Sequence, residues 1–196
     1  MKYYAVKKGR SVGIFNDWET TKTQVDSFPG AIFKSFNSKK EAEEWMKEEK
    51  EVIPKDAYIA YTDGSYDKQT KKSGYGIVIL QNDKVIKKLS GHLEEDFYNS
   101  HNILGEVYGV LRCIEFCLKS NIKKIYIYHD YQGLSSWISS EYKTTSKIAQ
   151  FYVKNYQELL KDKKLEVIFV KVKGHSDNKY NDMADLLAKN AIGISK

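Results

Sequence analysis

Four acidic residues carry the chemistry this chain could do: Asp63, Glu106, Asp130 and Asp185. Asp63 follows the apolar run Tyr58-Ile59-Ala60-Tyr61-Thr62, which reads as a short strand that ends on a carboxylate and turns at Gly64. Asp-Gly is also a common tight-turn dipeptide, so Asp63 alone has an ordinary structural explanation. Asp130 closes a second apolar run, Ile125-Tyr126-Ile127-Tyr128, and alone could be the N-cap of the next helix. Glu106 and Asp185 are harder to explain structurally. Glu106 lies three residues after Ile103 and four before Val110, so it borders the apolar stripe of a long helix, where unpaired burial is costly. Asp185 falls within the inward run Met183, Ala184, Leu187, Ala188 and Ala191 of the last helix. Its neighbour Asp182 has an ordinary role as a first-turn acid facing the helix dipole. Four carboxylates cannot share a small volume unless cations neutralise them. All-oxygen ligands, without Cys or clustered His, select hard Mg²⁺ or Mn²⁺.

The elements that must bring these acids together follow from periodicity. Residues 58–63, 74–80 and 85–93 alternate as strands, and 102–119 repeats as a helix with Val107, Val110, Ile114 and Cys117 inward. Then come a strand to Asp130, helices over 132–140 and 148–160, a strand over 165–172 and a helix over 180–192. The first three strands are hairpin-like and the later crossovers imply parallel pairing. The expected fold is α/β, a mixed five-stranded sheet flanked by helices. Asp63 and Asp130 then stand at comparable strand ends, with Glu106 and Asp185 reaching them from helices.

A smaller ββαβα unit precedes this sheet. It has strands over 3–6, 12–15 and 31–36, a helix capped by Asp17 and a second helix opened by the capping box Ser38-Lys39-Lys40-Glu41. Lys7, Lys8, Arg10, Lys22 and Lys34 are interleaved with Tyr3, Trp18, Phe28 and Phe33, the mixture that sugar-phosphate contact and base stacking require. A charged stretch with Pro54 and no apolar periodicity separates the two, giving domains 1–49 and 57–196 with a linker over 50–56. The net charge of +6 and pI of about 9.0 suit a polyanionic partner. The chain opens without a hydrophobic leader and has no apolar run long enough to span a bilayer. Cys113 and Cys117, four apart in one helix, read as buried thiols. The expectation is a soluble cytoplasmic monomer.

Two resemblances extend this reading. Tyr3-Tyr4-Ala5-Val6-Lys7-Lys8-Gly9-Arg10, Trp18, Asp26-Ser27-Phe28-Pro29-Gly30 and Phe33-Lys34-Ser35-Phe36 resemble the hybrid-binding domain found at the N-terminus of many type 1 ribonucleases H and in a caulimovirus inclusion-body protein. The resemblance implies that Trp18, Phe33 and Lys34 contact a DNA strand, with Lys8 and Arg10 near the hybrid. Ile32 and Ser35 depart from the basic residues common there, which implies weaker affinity. Asp63-Gly64-Ser65, Gly74-Tyr75-Gly76, Gly105-Glu106, Asp130-Tyr131-Gln132, Lys173-Gly174-His175 and the run from Asn181 to Ala188 resemble type 1 ribonuclease H. That family's motif implies four metal ligands, Asp63, Glu106, Asp130 and Asp185, holding two divalent cations, Mg²⁺ or Mn²⁺. It implies hydrolysis of the RNA strand of an RNA/DNA hybrid to 3′-hydroxyl and 5′-phosphate ends, with His175 assisting proton handling or product release. It also implies that Gly64, Ser65, Asn102 and Gln132 touch the minor groove, and that Ser100 and Thr145 form a pocket for a DNA phosphate. The connection over 139–146 is too short for the basic protrusion many bacterial members carry, so the N-terminal domain is expected to supply that grip. The rival reading is a non-catalytic hybrid-binding protein.

Overall fold

Local capping chemistry starts the first unit. Asp17 accepts a hydrogen bond from the Thr20 N–H at 2.7 Å, and Ser38 and Glu41 exchange reciprocal bonds at 3.2 Å. These motifs open α1 (Trp18–Val25) and α2 (Lys39–Lys47). The computed structural model describes residues 2–47, 53–94, 99–172 and 178–194 of the chain. Strands β1 (Tyr3–Lys8), β2 (Gly13–Phe15) and β3 (Ile32–Phe36) form an antiparallel sheet in the order β2-β1-β3, giving the ββαβα order expected. Ala5, Val6, Val25 and Ala42 fill its core. The chain divides into two compact units, Met1–Ile53 and Pro54–Lys196. Residues 50–52 of the linker read at 50–56 lie outside the described residues.

In the second unit β4 (Tyr58–Tyr66), β5 (Ser73–Gln81) and β6 (Lys84–Leu93) pair antiparallel, and β7 (Lys124–His129) and β8 (Glu166–Lys171) extend the sheet in parallel. The order is β6-β5-β4-β7-β8, the mixed five-stranded sheet that the hairpin-then-crossover pattern implied. Between them run α3 (Asn102–Lys119), α4 (Gly133–Ile138), α5 (Lys147–Leu160) and, last, α6 (Lys179–Ala191). On one face Ala60, Ile77, Ile79, Ile125 and Ile127 pack with Val107, Val110, Ile114 and Cys117 of α3 and Ile148, Ala149 and Tyr152 of α5. On the other, Tyr61, Val78 and Leu80 pack against Ala184 of α6.

One expectation is corrected. The chain does not turn at Gly64: β4 runs straight through Asp63, Gly64 and Ser65, which pair with Gly76, Tyr75 and Gly74 of β5. Glycine is needed there for close approach, because a Cβ at 64 would lie 2.4 Å from the Glu106 nitrogen and 2.5 Å from the Asn102 carbonyl. A bare backbone at 64, met by another at Gly105, lets the first turn of α3 lie directly on the strand.

Candidate active site

Strand register brings the first two acids together. Tyr61 and Tyr128 are partners across the parallel β4–β7 pair, with rings stacked at 4.7 Å. Asp63 and Asp130 each lie two residues further on, so alternation returns them to the same face, side by side. Asp63 is not a turn residue, and the N-cap position of α4 belongs to Gln132, not Asp130. Neither acid keeps the structural explanation that was open to it.

Glu106 comes from α3, one turn inside its start, and is buried to 2% exposure. One oxygen atom each of Asp63, Glu106 and Asp130 lie within 4.8 Å of one another. Asp185 of α6 lines the same cavity, about 470 Å³ in volume, along with Gly64, Ser65 and Asn102. Asp182, the competing acid, is exposed in the first turn of α6.

The electrostatics are those of a site built for cations. Burial, then the charges of Asp130 and Asp185, push the Asp63 carboxyl up to about 7, despite a 2.8 Å hydrogen bond from the Gly64 N–H. Burial and the neighbouring Asp63 and Asp130 hold Glu106 well above the usual carboxylate range. Asp63 and Glu106 share a hydrogen bond, yet the second Glu106 oxygen, Oε2, is buried with no hydrogen-bond partner. An orphaned carboxylate oxygen facing two other acids is costly unless an ion takes it up. The donor set, all carboxylate, fits Mg²⁺ or Mn²⁺.

Sequence reading passed over two cations of this cavity. Lys189 donates to Asp185 Oδ2 at 2.6 Å across one helical turn, an i,i+4 pair that was visible in the spacing. Lys68 reaches the rim from the β4–β5 loop, held by Asp67, which accepts from the Gln69 N–H at 2.9 Å and the Thr70 hydroxyl at 2.7 Å. His101 completes the rim with φ +55°.

Other expected contacts fall elsewhere. Gln132 does not line the cavity; its amide donates to Ser136 Oγ at 2.9 Å, tying it into α4. Ser100 is buried before α3 and Thr145 is exposed before the Ser146 cap of α5, and neither lines the cavity. His175 lies outside the described residues. In the first unit Trp18 and Phe33 are exposed at 43% and 42% with rings 5.8 Å apart. Strand alternation sends Lys34 to the other face, where its ammonium lies 5.5 Å from the Phe36 ring. Lys8 lies against Gly30. Arg10 is engaged in structure, donating to the Thr23 and Asp26 carbonyls at 2.9 and 2.7 Å at the end of α1.

A buried carboxylate cluster beside the central strands of a mixed sheet defines a candidate divalent-cation site. Comparison with known proteins names the family. The family described as RNase H matches residues 55–193, and that described as Ribonuclease H1 N-terminal domain matches residues 2–46. Ribonuclease H of Chlorobaculum parvum is 33% identical over 140 residues, covering 67% of this chain and 92% of that protein. Ribonuclease H of Saccharomyces cerevisiae is 50% identical over 44 residues, 22% of this chain and only 13% of that protein. Among solved structures, RNase H1 from the halophilic archaeon Halobacterium salinarum superposes with a TM-score of 0.60 at 17% identity, over 71% of this chain and 99% of that one. LC11-RNase H1 in complex with RNA/DNA hybrid gives a TM-score of 0.57 at 15% identity, over 69% and 99%. The chain belongs to the ribonuclease H family.

Proposed function

We infer that this protein is an endonuclease that hydrolyses the RNA strand of RNA/DNA hybrids, leaving 3′-hydroxyl and 5′-phosphate ends. The observation that carries the reading is the convergence of Asp63, Glu106 and Asp130 within 4.8 Å, one of them buried with an unbonded oxygen. Family membership and the hybrid-bound relative support the substrate. Asp63, Glu106, Asp130 and Asp185 would hold two divalent cations, Mg²⁺ with Mn²⁺ as substitute. When bound, these ions supply an acidified attacking water and positive charge for the scissile phosphate and the leaving 3′-oxygen. No side-chain nucleophile is required. Asp63 is fixed on β4 and Asp130 just past the end of the adjacent β7, and Glu106 is held by the seat of α3 on Gly64. Lys189 orients the Asp185 carboxylate by donating to its Oδ2. Gly64, Ser65 and Asn102, on the wall of the cavity, are placed to read the minor groove, where the 2′-hydroxyl marks RNA. His175 assists product release.

Residues 1–49 act as the hybrid-binding domain through Trp18 and Phe33, residues 50–56 as a linker and 57–196 as the catalytic domain. A monomer working in the cytoplasm completes the reading; the buried free thiols of Cys113 and Cys117 suit a reducing compartment. Among the described residues no helix is long and apolar enough to cross a membrane. The test is cleavage of an end-labelled hybrid by wild type and Asp63→Asn, with and without Mg²⁺ or Mn²⁺, against RNA/RNA and DNA/DNA duplexes. Metal-dependent cutting of the RNA strand alone, lost in the variant, is expected. Binding without cutting under either metal would make this a non-catalytic hybrid-binding protein.

A further inference from the structure

His129 ends β7 immediately before Asp130, yet its imidazole points away from the acids and into the core. It is fully buried, with its ring edge-on to Phe169 at 5.5 Å. Nδ1 lies 2.9 Å from the Tyr131 carbonyl oxygen, which can only accept, so Nδ1 carries a proton, and Nε2 is buried without a hydrogen-bond partner.

This bond clasps the backbone on both sides of Asp130. Before it, the His129 carbonyl accepts from the Val172 N–H at 2.9 Å, extending the β7–β8 pairing. After it, the Tyr131 carbonyl accepts both His129 Nδ1 and the Leu134 N–H, at 3.2 Å, which opens α4. Asp130 is thereby the one residue enclosed by this bond, just past the end of β7 and ahead of α4. A buried polar group whose second nitrogen goes unbonded is a poor choice for packing alone, since an apolar ring would fill the space without that penalty.

We propose that His129 is a positioning residue for Asp130, its Nδ1–H fixing the 129–131 backbone so that the carboxylate meets a divalent ion at a set distance. The proposal rests on Asp130 being a metal ligand. Supporting groups of this kind typically change metal affinity or activity about 10–100-fold when removed. Removal leaves the Tyr131 carbonyl paired with Leu134, so the fold loses no essential partner.

The full-length protein is compared as wild type, His129→Phe, His129→Asn and His129→Gln. Phe keeps the ring without the bond; Asn places an amide N–H where Nδ1 was; Gln places one nearer Nε2. Calorimetric titration with Mn²⁺ in the absence of nucleic acid is the first readout, and kcat and KM on a hybrid at fixed Mg²⁺ the second. Mn²⁺ affinity should fall about tenfold or more in the Phe and Gln variants and return to within about threefold of wild type in Asn. kcat should follow the same order with KM for the hybrid unchanged. Equal losses in Asn and Gln, or a Phe variant that binds Mn²⁺ like wild type, would overturn the proposal. Should the Phe variant fail to fold, the Asn and Gln pair decides. The titration needs no cleavage, so a wild type that binds Mn²⁺ but cuts nothing would count against the nuclease reading and leave this test intact.

Discussion

The two acting surfaces of this chain are built on opposite physical terms. In the second unit, acids are taken out of water: Glu106 is 2% exposed, and the strands and helices that carry the cluster are locked by backbone contacts at Gly64 and Gly105. In the first, aromatic rings are left in water: Trp18 at the start of α1 and Phe33 on β3 stand more than two-fifths exposed. Burial makes charge costly and therefore potent, which catalysis needs, whereas exposed rings keep their faces free for bases and can be lost one at a time. The teaching is that damage to the first surface should read in KM and damage to the second in kcat.

The sharpest way to break that division is at the carboxylates. Asp63→Asn or Glu106→Gln should lower kcat by more than about a thousandfold, roughly 4 kcal/mol of transition-state stabilisation. Hybrid affinity should stay near that of wild type, because the aromatic surface is untouched. Single-turnover cleavage together with fluorescence anisotropy on the same hybrid would measure both, and a parallel loss of binding would collapse the distinction.

Stability gives a second separation. In the fold Asp63 keeps its proton up to about pH 7, against an ordinary value of 3.8. Between those values the folded state binds more protons than the unfolded one, so this contribution is fully present below about pH 4 and is lost as pH rises through about 7. The metal-free wild type should therefore lose thermal stability over that range relative to Asp63→Asn. Mg²⁺ at pH 8 should restore it. Calorimetric melting with chelator and with Mg²⁺ checks both signs. Trp18→Ala should leave these curves parallel to wild type, since no buried charge lies near it. Its effect belongs to KM, raised about tenfold by loss of one stacking platform, with kcat unchanged.

What could be read in the sequence was whatever short-range chemistry decides. The Asp17 cap, the Ser38–Glu41 box and the span of α3 are local matters of hydrogen bonding and apolar period, and they stand where residue types put them. Glu106 and Asp185 were legible because each strained a local explanation, and Asp63 and Asp130 because both close apolar runs. The course of β4 through Gly64 was not, since the need for a bare backbone there is imposed by α3, some forty residues further along the chain. Arg10 and Gln132 have the composition of nucleic-acid contacts, but carbonyls at the end of α1 and the Ser136 hydroxyl engage them, and only the folded chain reveals those partners. Phe33 and Lys34 are neighbours in sequence and opposite in space, a consequence of strand alternation that composition alone hides.

Lys68 tests whether the division is complete, because it is an exposed cation on the rim of the buried site. Its loop is closed by the Asp67 N–H donating to the Lys72 carbonyl at 3.0 Å and stiffened by the Asp67 carboxylate, so the backbone that carries Lys68 is fixed beside the cavity. A backbone phosphate beside the scissile one would meet it there. Lys68→Gln should weaken hybrid binding only a few-fold, but the slope of log Kd against log salt should fall by about one, as expected for a lost phosphate contact. Trp18→Ala should leave that slope unchanged, because stacking releases no counterion. Titrations at several salt concentrations would tell the two apart. An unchanged slope in Lys68→Gln would leave substrate charge recognition to cations away from the cavity, and the catalytic unit would then bind through the groove and the metal site alone.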